Sequence, residues 1–168
     1  MEDELPDWDR IVDSHARRVF RVALRILGSA EDAEDVSQDV FSEAFQFHKQ
    51  GPVQSWAGLL VRLATLRSID RLRRKRPSVE LQESDRMSSV EPIDMVVAAE
   101  LSQWLRAAIS RLPDQQAAVF AMFHFEQLTR DEISATLGIS PEAVSTTLYK
   151  SKQRLLSQLA IFNRGDSK

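Results

Sequence analysis

Cysteine is absent from this sequence, which excludes disulfides, thiolate metal sites and a cysteine nucleophile. Histidine is scarce: His15, His48 and His124 are scattered, and none is paired with a plausible nucleophile. No constellation for acid–base, nucleophilic or metal-assisted catalysis remains, so no catalytic residue, no metal and no cofactor is expected. Long apolar runs are missing too; no stretch reaches the roughly eighteen residues of a membrane span, and no membrane insertion is expected. Basic charge is lacking at the start, where Met1–Asp7 is acidic, the opposite of a secretory signal. A cytoplasmic protein is the plain reading. Strand-like alternation is hard to find, and only five glycines are present.

What is there is helical spacing. Ile11, Val12, Val19, Val22, Ala23, Ile26 and Leu27 form one stripe, closed by Gly28 as a C-cap. Ser29-Ala30-Glu31-Asp32 opens a second helix carrying Ala33, Val36, Val40, Phe41, Ala44 and Phe45, which stops before Gly51-Pro52. A third, from about Gln54 to Arg74, carries Trp56, Leu59, Leu60, Leu63, Ile69 and Leu72. Residues 77–92 change character to Ser, Glu and Pro with few large apolar side chains. They read as a flexible linker able to stretch to roughly 55 Å. Helical spacing resumes from about Ile93 to Arg111 and again after Pro113. The expected fold is all-α: two small helical domains, 1–76 and 93–168, each with its own apolar stripes and joined by the linker 77–92.

Charge is segregated along the chain. Ser29 to His48 holds six acidic residues and no Lys or Arg, whereas Arg67 to Arg76 holds six basic residues against Asp70 alone. Asp35, Gln38, Asp39 and Ser42 share one helix face at i, i+3, i+4, i+7, which suits docking on a basic partner, though a merely solvated face has the same spacing. Arg62, Arg67, Arg71 and Arg74 fall on roughly one side of the third helix, as a row of phosphates requires. A solvated helix end would show the same run. Trp56 on that helix reads either as a core residue or as a platform for an unpaired base.

The sharpest local signal is the stretch TRDEISATLGISPEAVSTTLYKSKQR, Thr129 to Arg154. Ile133, Leu137, Ile139, Val144 and Leu148 supply packing, Ser134 a small crossing residue and Gly138 the turn of a helix-turn-helix. Thr129 and Glu132 form a capping box, and Ser140-Pro141 starts the second helix. Glu142, Ser145, Thr146, Tyr149 and Lys150 would then face DNA, with Lys152 and Arg154 near phosphates.

The stretch from Ile11 to Arg76, with HARRVFRVALRILGSAEDAEDVSQDVFSEAF followed by SWAGLLVRLATLRSIDRLRRKR, resembles region 2 of extracytoplasmic-function (ECF) sigma factors of the sigma-70 superfamily. Leu112 to Leu159, with LPDQQAAVF and LTRDEISATLGIS, resembles their region 4. The resemblance implies an alternative sigma factor that lends core RNA polymerase its promoter specificity and catalyses nothing itself. Asp32, Asp35, Gln38, Asp39 and Ser42 would dock on the polymerase's largest subunit. Trp56, Arg62, Arg67, Asp70, Arg71, Arg73 and Arg74 would hold the minus-ten element of promoter DNA. Glu142, Ser145, Thr146, Tyr149, Lys150, Lys152 and Arg154 would read the minus-thirty-five element, and an anti-sigma factor would be a further partner. Departures from the family pattern are Leu66 where Asn is common, and Ser145 and Thr147 where Lys and Arg are common; the last two imply weaker phosphate attraction. The rival reading is a helix-turn-helix regulator that acts without polymerase docking.

Overall fold

The structure is a computed structural model that describes residues 7–75 and 93–165. Residues 77–92, read above as the linker, lie outside the described residues. Seven helices and no strand are present among those described: α1 (Trp8–Leu27), α2 (Ala30–Gln50), α3 (Trp56–Arg74), α4 (Ile93–Ser110), α5 (Asp114–His124), α6 (Arg130–Leu137) and α7 (Pro141–Gly165).

Local chemistry accounts for the helix ends. Asp7 caps α1, its side chain accepting from the Asp9 N–H, and Gly28 ends the helix in the left-handed region at φ 68°. Ser29 caps α2 and Ser55 caps α3 in the same way. The α1–α2 and α2–α3 connections are therefore short, and the first three helices close into an antiparallel bundle. Val19, Val22, Ala23 and Ile26 of α1, Val36, Val40 and Ala44 of α2, and Leu60, Leu63, Ala64 and Ile69 of α3 are buried between them.

The second half departs from the expectation of an independent core. Val119, Met122, Ile133, Val144 and Leu148 do form a small core of their own under the helix-turn-helix. But Ala108, Ile109, Leu112, Ala117, Ala118, Phe120, Ala121 and Leu155 belong to one continuous apolar cluster with α1–α3. Helix α3 packs against α4, α5 and α6 as well as against its own bundle. The reason is that α3 is apolar on two sides. Leu66, on its Arg-bearing side, and Leu72, on the other, are both partly buried against the shared cluster. Apolar stripes mark where helices lie, and carry no record of which distant helices share a face.

Candidate functional site

Three surfaces carry the functional candidates. On α2, Asp35, Gln38, Asp39 and Ser42 are exposed, as the one-face spacing requires. Asp39 has no ion-pair partner among the described residues. Asp32 does not belong with them. Its side chain is only 6% exposed and accepts from Arg71 Nη2 at 2.9 Å and from the Lys75 ammonium. Burial by itself pushes the Asp32 carboxyl up. The hydrogen bonds and charges of Lys75 and Arg71 outweigh that and hold it below the ordinary carboxylate range. Asp32 is a structural anion joining the start of α2 to the end of α3.

The same pairing reorganises the arginine stripe. Arg71 also donates to Asp35 at 3.1 Å. Arg67 grips Glu43 of α2 with two hydrogen bonds, Nε to Oε2 at 2.7 Å and Nη2 to Oε1 at 2.8 Å, and reaches Asp70 at 3.0 Å. Those hydrogen bonds hold the Glu43 carboxyl below its usual range, with burial acting in the opposite sense. Asp70 bridges Arg67 and Arg73, each three residues away. It orients two arginines and does not face outward alone. Much of the opposite charge on α2 and α3 is thus neutralised internally. Among the seven minus-ten candidates, only Arg62 and Arg74 are exposed cations with no ion-pair partner among the described residues.

Trp56 lies in an aromatic cluster at the far end of the bundle, with its ring centroid 6.0 Å from that of Trp8 and 5.9 Å from that of His48. Phe41 and Phe45 also pack on Trp8, and Phe45 stacks on His48. The ring is partly buried, which supports the core reading over a free stacking platform. Trp8 and His48 were not singled out from the sequence. The signal was present in the i, i+4, i+7 spacing of Phe41, Phe45 and His48.

The helix-turn-helix forms as its caps demand. The Glu132 N–H donates to Thr129 Oγ1 at 3.2 Å and the Thr129 N–H to Glu132 Oε2 at 2.8 Å. Gly138 turns the chain at φ 68°, and the Ser134 hydroxyl donates to the Ile139 carbonyl across the turn. The Ala143 N–H donates to Ser140 Oγ at 3.1 Å, capping α7. Glu142, Ser145, Thr146, Tyr149, Lys150, Lys152 and Arg154 are all exposed, Tyr149 to 65%. At 100° per residue, Ser145, Thr146 and Tyr149 share the centre of the free face, while Lys152 and Arg154 lie on opposite flanks. Gln153 falls between Thr146 and Tyr149 on that face and is exposed. As an uncharged side chain it leaves no mark in the charge pattern of the sequence. Thr147 is buried, so its departure from a basic residue falls on the packing side of the helix and removes no phosphate contact.

The geometry is therefore an acid-faced helix, a largely self-neutralised arginine helix and a free recognition helix. Comparison with known proteins agrees in both halves. Residues 11–77 match the family model of Sigma-70 region 2, and residues 102–155 match that of Sigma-70, region 4. The ECF RNA polymerase sigma factor SigW of Bacillus subtilis is 31% identical over 165 residues, covering 89% of this chain and 87% of that protein. SigE of Mycolicibacterium smegmatis, another ECF RNA polymerase sigma factor, is 31% identical over 161 residues, covering 93% of this chain. This chain spans 63% of the length of that relative. Among solved structures, CnrH in complex with the cytosolic domain of CnrY superposes with a TM-score of 0.60 at 18% identity, over 92% of this chain and 88% of that one. With both halves matched in order, the chain belongs to the ECF sigma factors of the sigma-70 family.

Proposed function

We infer that this chain binds core RNA polymerase and directs it to promoters as an alternative sigma factor. The observation that carries the reading is the pairing, in one chain, of a region 2 bundle bearing an exposed acidic face with a region 4 helix-turn-helix. A regulator acting without polymerase would need only the second. Asp35, Gln38, Asp39 and Ser42 form the docking face, with Asp32 behind them as a structural support. The arginine face of α3 takes the minus-ten element: Arg62 and Arg74 meet phosphates first, and Arg67, Arg71 and Arg73 follow by exchanging their carboxylates. Ser145, Thr146 and Tyr149, flanked by Glu142, Lys150, Lys152 and Arg154, read the minus-thirty-five element. The chemistry of RNA synthesis belongs to the polymerase.

A protein partner that restrains the chain also fits, since CnrH was solved bound to the cytosolic domain of CnrY. We assign that role to an anti-sigma factor. Run-off transcription with purified core polymerase on genomic fragments tests the central reading. Discrete transcripts that need both proteins are expected. Failure of core polymerase to co-purify with the chain would return the rival reading, a helix-turn-helix regulator.

A further inference from the structure

The recognition helix α7 carries its charges in an order that limits what its centre can read. Glu142, Thr146, Tyr149 and Gln153 follow one another at spacings of four, three and four, which keeps them within about 60° on a single line. All four are exposed. Lys150 and Lys152 stand about 80° from Glu142 on opposite sides. Val144, Thr147, Leu148, Ser151 and Leu155 fill the opposite face and are buried. Two cationic rails with an uncharged or acidic line between them match a duplex groove, whose phosphates border the base edges. From Pro141 to Tyr149 there is no Lys or Arg. The first turns of the helix, which lead into the groove, therefore hold no cation to pair with guanine.

Hydrogen-bond polarity narrows the choice further. The Thr146 hydroxyl donates to the Glu142 carbonyl at 3.0 Å, which leaves its oxygen as an acceptor only. The Glu142 carboxylate, in the first turn of α7, is acceptor-only as well. It has no ion-pair partner among the described residues. Between two rows of phosphates such a carboxylate is repelled unless a base offers it a proton. Guanine presents only acceptors in the major groove, and thymine an acceptor and a methyl group. Adenine offers its amino group beside the N7 acceptor, which repels the second carboxylate oxygen. Cytosine offers its N4 amino group with no acceptor on its own edge.

We propose that Glu142 is a specificity-determining residue that reads a cytosine in the minus-thirty-five element, while Thr146 accepts from a second base amino group nearby. The proposal rests on the sigma-factor reading above and names the base that this helix selects. Four residues rise about 6 Å along the helix, close to two base-pair steps, so the two acceptors address neighbouring pairs. The lysine rails fix the register, and the acceptors fix the sequence.

The test is a selection by holoenzyme, the full chain with core polymerase, from promoter fragments whose upstream element is randomised. The parent should retain cytosine at one position by about tenfold or more over each other base. Glu142→Ala should erase that preference at that position alone. It should also raise affinity for the unselected pool, because a negative charge has left the phosphates. Glu142→Gln should move the preference at the same position to adenine, whose N6 and N7 an amide meets with an acceptor and a donor. The swap separates base reading from a stabilising role at the helix N-terminus, which Ala and Gln would weaken alike without changing any base. Circular dichroism checks that both variants keep their helices. An unchanged base profile in both variants overturns the proposal, as does an equal loss at every position. A parent holoenzyme that selects no upstream base at all would strike the sigma-factor reading of the helix-turn-helix instead.

Discussion

Replacing Asp32 by Asn should destabilise the first module by about 2 kcal/mol while leaving the docking face in place. The charged hydrogen bond from Arg71 contributes about 1.5–3 kcal/mol in such settings. A carboxylate in the first turn of α2 adds about 0.3–1 kcal/mol against the helix dipole. Two features hold the total below the 3–5 kcal/mol typical of breaking a buried pair. Arg71 keeps Asp35 as a second partner, and the half-exposed Lys75 can turn to water. A protein of this size should lose about 4–8 °C in melting temperature.

The pH dependence separates charge from packing. Asp32 is held below the ordinary carboxylate range in the folded protein by Lys75 and Arg71, against the pull of burial. Its contribution is therefore complete above the unfolded value near 3.9 and is lost as pH falls through the depressed folded value. Urea titrations at pH 7 and pH 3 should show a gap between parent and variant that narrows in acid. A gap of equal size at both pH values would mean that Asn disturbs packing, and the structural-anion assignment would fail. Core polymerase affinity, measured on the folded variant, should change less than twofold.

The docking face itself is best probed at Asp39, because reversing Asp35 would also disturb Arg71. Asp39→Lys should lower affinity for core polymerase at least tenfold, about 1.4 kcal/mol or more, with helical content unchanged; binding assays on the purified variant check this. In salt titrations of holoenzyme on promoter DNA, Arg62→Ala and Arg74→Ala should each flatten the slope of log affinity against log salt by about 0.7–0.9. Arg67→Ala should flatten it less, since that arginine gives up Glu43 for each phosphate it takes. Thr146→Ala with Tyr149→Ala should reorder the preference among upstream elements, at roughly 1–3 kcal/mol per lost contact, and leave the slope nearly intact. Competition between two promoters differing only upstream would show it.

Helix placement was legible where a boundary carries its own chemistry: Ser29 and Ser140 as caps, Gly28 and Gly138 as left-handed stops. The helix-turn-helix was legible for the same reason, since its packing, turn and capping residues all lie within one short stretch. The arginine face was only half legible. Spacing along one helix shows that Arg67 and Arg71 share a side, but Glu43 and Asp32 lie far away in sequence and meet them only after α2 and α3 pair. Thr147 misled for a related reason. A family pattern records residue types at positions, and only the packing of α7 on α5 and α6 shows that this one faces inward. The shared cluster between the halves left the faintest trace of all, because small residues such as Ala108, Ala117 and Ala118 make close helix contacts without a conspicuous apolar signature.

That shared cluster has a consequence for how the protein comes into being. The first module is complete when the chain reaches Lys75, whereas α5, which covers it, begins only at Asp114. At synthesis rates of about 5–20 residues per second, the first module waits roughly 2–8 s for the start of its cover and several seconds more for α7. Over that interval the side of α3 that α5 covers is without its partner, and Arg73 has only Asp70, on its own helix, to pair with. A newborn chain thus carries a folded first module before its cover exists. The ribosome, by holding the C-terminal half back, leaves α3 without its second set of neighbours while the first module folds.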